Sequence, residues 1–135
     1  MHAIGSAYLI RQAAGAERFD GATVKISRAD PSMGVITIDL TERINGSQIK
    51  DNDASFLDEY ARIAIDRFAR NYDVDLRDWN IQVDQFAYHP IDSGPKGTHD
   101  AVYNALSAAF AQWASMTVQL PTEKAEPRDA RESPS

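Results

Sequence analysis

Hydrophobic residues recur at helical spacing over residues 55–71, where Phe56, Tyr60, Ile63, Ala64 and Phe68 line one side and Leu57, Ala61 and Ile65 widen the stripe. That spacing predicts an amphipathic helix. Ser55 is placed to cap its free amides, and Asp58 stands at the reciprocal position of a capping box. Asp58–Arg62 and Asp66–Arg70 put an acid four residues before a base on the polar side, the favourable order for such pairs. A second helix is predicted over residues 99–114, with Val102, Leu106, Ala109, Phe110 and Trp113 on one face and Thr98 or Asp100 as its cap. The rest of its surface, including Ala101, Ala105, Ala108 and Ala111, is nearly uncharged. Such a surface either packs closely within the domain or receives a partner.

Elsewhere the period changes to two, the mark of strands. Residues 34–41 alternate Val35, Thr37 and Asp39 with Ile36, Ile38 and Leu40. Residues 80–88 set Ile81, Val83 and Ala87 on one face and Phe86 and Tyr88 on the other. Residues 7–10 and 22–27 are fainter strand candidates. Asn45-Gly46 favours a tight hairpin turn, because both central positions need positive φ, and it would return the chain through residues 47–50. The expected fold class is α+β: a mostly antiparallel sheet with two helices on one face, in the order β-β-β-α-β-α. Residues 1–120 form the expected single domain. Residues 121–135 hold three prolines and alternating charge without apolar periodicity, and are expected to be a disordered polar tail.

A length of 135 residues fits one domain. The lack of cysteine excludes disulfides, thiolate metal sites and a thiol nucleophile. Lysine and arginine number 14 against 20 aspartates and glutamates, a net charge of −6, which opposes the attraction that drives non-specific nucleic-acid binding. Nucleic-acid contact would therefore depend on local basic residues. The first residues lack the basic start and apolar run of a signal peptide, and no apolar stretch approaches the length of a membrane span. A cytoplasmic protein without membrane association is expected.

The densest polar cluster is Tyr88-His89-Pro90-Ile91-Asp92-Ser93 followed by Gly94-Pro95-Lys96-Gly97-Thr98-His99-Asp100, between the last strand and the second helix. Imidazole and carboxylate at His89, Asp92, His99 and Asp100 suit zinc, nickel or iron, which makes a small metal-dependent enzyme one reading. Their spacing matches no established ligand motif, and loop polar residues more commonly form turns and caps. Residues 94–97 with Lys96 resemble a phosphate cradle at a helix start. The lysine, however, precedes the second glycine and breaks the P-loop pattern, so a turn before the helix accounts for the segment. Counting from Asn71, a calcium loop would require glycine and glutamate where Leu76 and Gln82 stand. There is no G-x-S-x-G elbow, and the hairpin turn accounts for the Asn45-Gly46-Ser47 sequon. No catalytic residue, resident metal or cofactor is assigned.

With this element order, residues 80–110 resemble domain IV of the elongation factor G family. That domain closes with a strand, a loop of the form S-Y-H-D-V-D-S-S and an alanine-rich helix. Here the corresponding residues are Ala87-Tyr88-His89-Pro90-Ile91-Asp92-Ser93, then Ala101-Val102-Tyr103-Asn104-Ala105-Leu106-Ser107-Ala108-Ala109-Phe110. Gly34-Val35-Ile36-Thr37-Ile38-Asp39-Leu40 is similar to the family's G-H-V-V-I-D-M strand, and Ser6-Ala7-Tyr8 to its opening V-A-Y. The resemblance implies a stand-alone β-β-β-α-β-α domain of the ribosomal-protein type. In the family this domain is an arm whose tip enters the decoding site, and the tip histidine corresponds to His89.

The chain departs from the family in several places. These 135 residues include no nucleotide-binding domain, so the chain alone performs no GTP-driven translocation. Asp30-Pro31-Ser32-Met33 replaces a basic glycine-rich loop, Pro90 replaces an acid, and residues 94–98 are inserted. The expectation is a non-enzymatic binding domain that contacts ribosomal RNA or a translation-associated partner through Tyr88, His89, Asp92 and Lys96. The alternative is a protein-interaction module, or a homodimer, that uses the alanine-rich second helix.

Overall fold

The computed structural model describes the backbone of residues 1–13, 16–40, 51–87 and 95–125. Strands β1 (Ala3–Ala13) and β2 (Ala16–Arg28) pair antiparallel as a long hairpin. A short strand β3 (Ile36–Ile38) precedes helix α1 (Asp51–Tyr72), and a single 3-10 turn (Leu76–Asp78) leads into β4 (Trp79–Ala87). Helix α2 (Pro95–Ala125) follows. β4 lies antiparallel to β2 and parallel to β3, which gives the sheet order β1-β2-β4-β3. This is the α+β order that the hydrophobic pattern predicts, with both helices on one face.

Element boundaries differ from expectation for identifiable reasons. α1 begins at Asp51, and a sequence with acids at positions 51 and 53 suits the positive end of a helix. Ser55 therefore lies inside the helix rather than at its cap. Asp58 accepts from Arg62 at 3.0 Å, and Asp66 accepts from Arg70 at 2.8 Å, as the spacing predicts. α2 begins at Pro95, whose fixed φ and missing donor suit the first helical position. The segment expected to be a turn thus belongs largely to the helix, and Thr98 and Asp100 fall inside it. The backbone of α2 continues to Ala125, beyond the boundary expected at residue 120. The Asn45-Gly46 turn, residues 47–50 and residues 126–135 lie outside the described residues.

Residues 34–39 run along β4 as an edge. The Val35 carbonyl accepts from the Ile81 amide at 2.9 Å and the Asp39 amide donates to the Val83 carbonyl at 2.8 Å, although only Ile36–Ile38 are regular strand. In β4 the alternation is interrupted at Gln85, which has a φ of 50°. Gly21 faces Ala87 while Thr23 faces Asp84, so β4 carries one extra residue there, a β-bulge. The bulge changes the phase of the strand. Phe86 consequently turns into the core with Ile81 and Val83 instead of occupying the opposite face.

The core lies between the sheet and the helices. Val24, Ile26, Ile81 and Val83 meet Leu57, Ile65 and Phe68 of α1 and Val102 and Leu106 of α2. Trp79 packs edge-on against Phe110 and Trp113. α2 approaches β1 so closely that a Cβ on Gly5 would overlap the Ala105 carbonyl and the Ala109 amide. Ala101 and Ala105 are fully buried, whereas Ala108 and Ala111 are exposed. About half of the alanine surface is thus used within the domain. On the other sheet face Thr23 shares hydrogen bonds with Ser6 at 2.9 Å and Tyr8 at 3.1 Å. Among the described residues no helix is long and apolar enough to cross a membrane.

Candidate functional site

β4 ends at Ala87, just past the bulge at Gln85, and α2 begins at Pro95. Tyr88, His89 and Asp92 lie outside the described residues. Lys96 is described: it stands in the first turn of α2 with 80% of its side chain exposed, and its Nζ donates to Asp100 Oδ2 at 2.9 Å. The base precedes the acid by four residues, the weaker order for such a pair. The positive charge also sits at the positive end of the helix dipole, and no acidic residue stands in that first turn.

Asp100 and His99 extend the contact across to α1. His99 Nδ1 lies 2.9 Å from Asp100 Oδ1, and Arg67 Nη1 lies 3.3 Å from His99 Nε2. A guanidinium can only donate, so Nε2 is the acceptor and the ring proton sits on Nδ1, donated to Asp100. One carboxylate therefore organises two cations: Lys96 directly, and Arg67 through the imidazole. Burial pushes the Asp100 carboxyl up, but the hydrogen bonds from Lys96 and His99 outweigh it and hold the carboxyl below its ordinary value. Only 15% of the His99 side chain is exposed. One turn further on, Asn71 Nδ2 donates to the Tyr103 hydroxyl at 2.9 Å, tying the same two helices again.

These groups edge a groove of about 360 Å³, lined by Tyr60, Ile63 and Arg67 of α1 and by Pro95, Lys96, His99 and Asp100 of α2. Of the residues singled out from sequence, the structure brings Lys96, His99 and Asp100 together. Arg67 was missed, although the sequence carried a signal for it. Arg62 and Arg70 each have an aspartate four residues earlier, whereas Arg67 has Ile63 and Ala64 at the corresponding positions. A basic residue without a partner on its own helix is free to serve another element.

The phosphate-cradle reading meets a different arrangement. The Asp20 carboxylate is buried and packs so tightly on Gly97 that a Cβ there would overlap it. An acid of the protein itself thus already lies against the first turn of α2. For the metal reading, no three histidine, aspartate or glutamate side chains gather as a ligand set among the described residues. His99 and Asp100 are bonded to each other and flanked by two cations, and His89 and Asp92 lie outside the described residues.

No family model matches the chain. No curated protein matches it either. Among solved structures it is similar to the crystal structure of ttk003000868 from Thermus thermophilus, at 16% sequence identity and a TM-score of 0.61. The match covers 82% of this chain and 16% of that one. At this identity the likeness shows a shared fold, here corresponding to a small part of a much longer chain.

Proposed function

We propose that this chain is a non-enzymatic binding domain of the elongation factor G domain IV type, which contacts ribosomal RNA with the end of the fold where β4 gives way to α2. The observation that carries the reading is the bracketing of residues 88–94 by two anchored elements. The β4 bulge stands on one side; on the other, α2 is seated by Pro95 and by the close approach of Asp20 to Gly97. Tyr88, His89 and Asp92 belong to that segment, and Lys96 stands beside it with its ammonium in solvent. The shared fold with one part of a longer Thermus chain supports a module of this kind, while fold alone does not specify function. His89 would donate to a phosphate or base edge, and Lys96 would neutralise phosphate charge.

The test is co-sedimentation of the purified chain with ribosomes and separated subunits through a salt series. Saturable binding at low salt is expected, weakened several-fold by His89→Ala and by Lys96→Ala. Absence of binding at low salt overturns the reading.

A further inference from the structure

We propose that the groove between α1 and α2 binds a small organic oxyanion, with Arg67 and Lys96 as its charged donors and Asp100 and His99 as the residues that position them. Among the described residues the lining holds two full cations and a single carboxylate, in a molecule whose net charge is −6. That carboxylate spends its two oxygens on orienting donors: Oδ2 receives Lys96 Nζ, and Oδ1 receives the imidazole that in turn accepts from Arg67. One N–H of the guanidinium is used on His99. The planar fork carries further N–H groups suited to a phosphate or carboxylate.

Of the acids of α1 near the groove, Asp58 is paired with Arg62 and Asp66 with Arg70, and Glu59 is exposed two turns before Arg67. The Lys96–Asp100 pair is exposed, and pairs of that kind are weak, so the ammonium can turn to a ligand at little cost. Tyr60, Ile63 and Pro95 supply an apolar wall, and the groove's volume accommodates a ring attached to the anion. As a purely structural tie between the helices the network would be redundant, because Asn71 and Tyr103 already join them one turn away.

The experiment follows amide shifts of the full-length, nitrogen-15-labelled chain during titration with phenyl phosphate, with benzoate, and with sodium chloride at matched ionic strength. Saturable shifts centred on residues 60–67 and 95–103 are expected with an aromatic oxyanion and not with chloride. The tighter of the two ligands identifies phosphate or carboxylate as the preferred class. Arg67→Ala and Lys96→Ala should each weaken binding about tenfold, the scale of one lost charge-assisted hydrogen bond, with Arg67→Lys restoring only part. Asp100→Asn keeps both cations, yet should weaken binding and alter the ring-nitrogen shifts that report the Nδ1–H tautomer of His99. Shifts no larger than those from chloride overturn the proposal. So does binding that survives Arg67→Ala in a variant whose spectrum is otherwise that of the wild type. Arg67 takes no part in the ribosome reading, so Arg67→Ala should leave co-sedimentation unchanged, and failure of either proposal is visible separately.

Discussion

Asp75 shows how much a single exposed side chain can carry. Its carboxylate accepts from the Arg77 side chain at 2.8 and 3.0 Å and from the Arg77 backbone amide at 3.1 Å, capping the 3-10 turn that leads into β4. The side-chain hydrogen bond from Arg77, helped by the amide and the nearby positive charge, holds the carboxyl at about 2 against an ordinary 3.8. A carboxyl depressed in the folded state binds its proton more readily when unfolded. Its contribution to stability is therefore complete above the ordinary value and disappears as pH falls through about 2. Thermal melts across that window should show the wild type losing stability more steeply with acid than Asp75→Asn. Because the pair is exposed the difference will be small, and added salt should reduce it further.

Packing between elements explains what the sequence disclosed and what it hid. α1 was legible because its apolar stripe and its two acid-base pairs obey one period. β1 and β2 are the longest strands, yet they are the faintest in sequence. Their inward positions include Ala3, Gly5 and Ala22, residues of low strand propensity. At Gly5 the backbone of α2 lies directly on the strand, and the alanines of α2 are the other half of that contact. Each half could be read along the chain, but their pairing could not. The Gln85 bulge likewise leaves no periodic trace, so Phe86 was placed on the wrong face. The network of the candidate site was partly legible: Lys96, His99 and Asp100 stood out as a polar cluster, whereas Arg67 joins it from a helix 32 positions earlier than His99. Gly5→Ala tests the contact between the two small-residue surfaces. The added methyl group would meet backbone rather than a side chain that could turn aside, so a loss of about 1–3 kcal/mol is expected in urea denaturation.

For the whole molecule, the −6 net charge sets the terms on which any polyanion can be met. The overall field repels RNA at long range, so the contact proposed at the β4–α2 end would rest on a few local groups, the exposed Lys96 among them. Local contact and global repulsion have opposite salt dependences. Added salt weakens a lysine–phosphate contact by removing the gain from counterion release, and it also screens the repulsion beyond a Debye length of roughly 8–10 Å. The affinity for ribosomes should therefore fall with salt less steeply than in a basic protein making the same number of phosphate contacts. Lys96→Ala should lower the slope of log K against log salt by about 1, the share of one phosphate contact. His89→Ala removes a hydrogen-bonding ring rather than a fixed charge, so it should reduce affinity while leaving the slope nearly unchanged. If the slope in Lys96→Ala equals that of the wild type, the charge that meets RNA lies elsewhere on the molecule, and the start of α2 has no part in the contact.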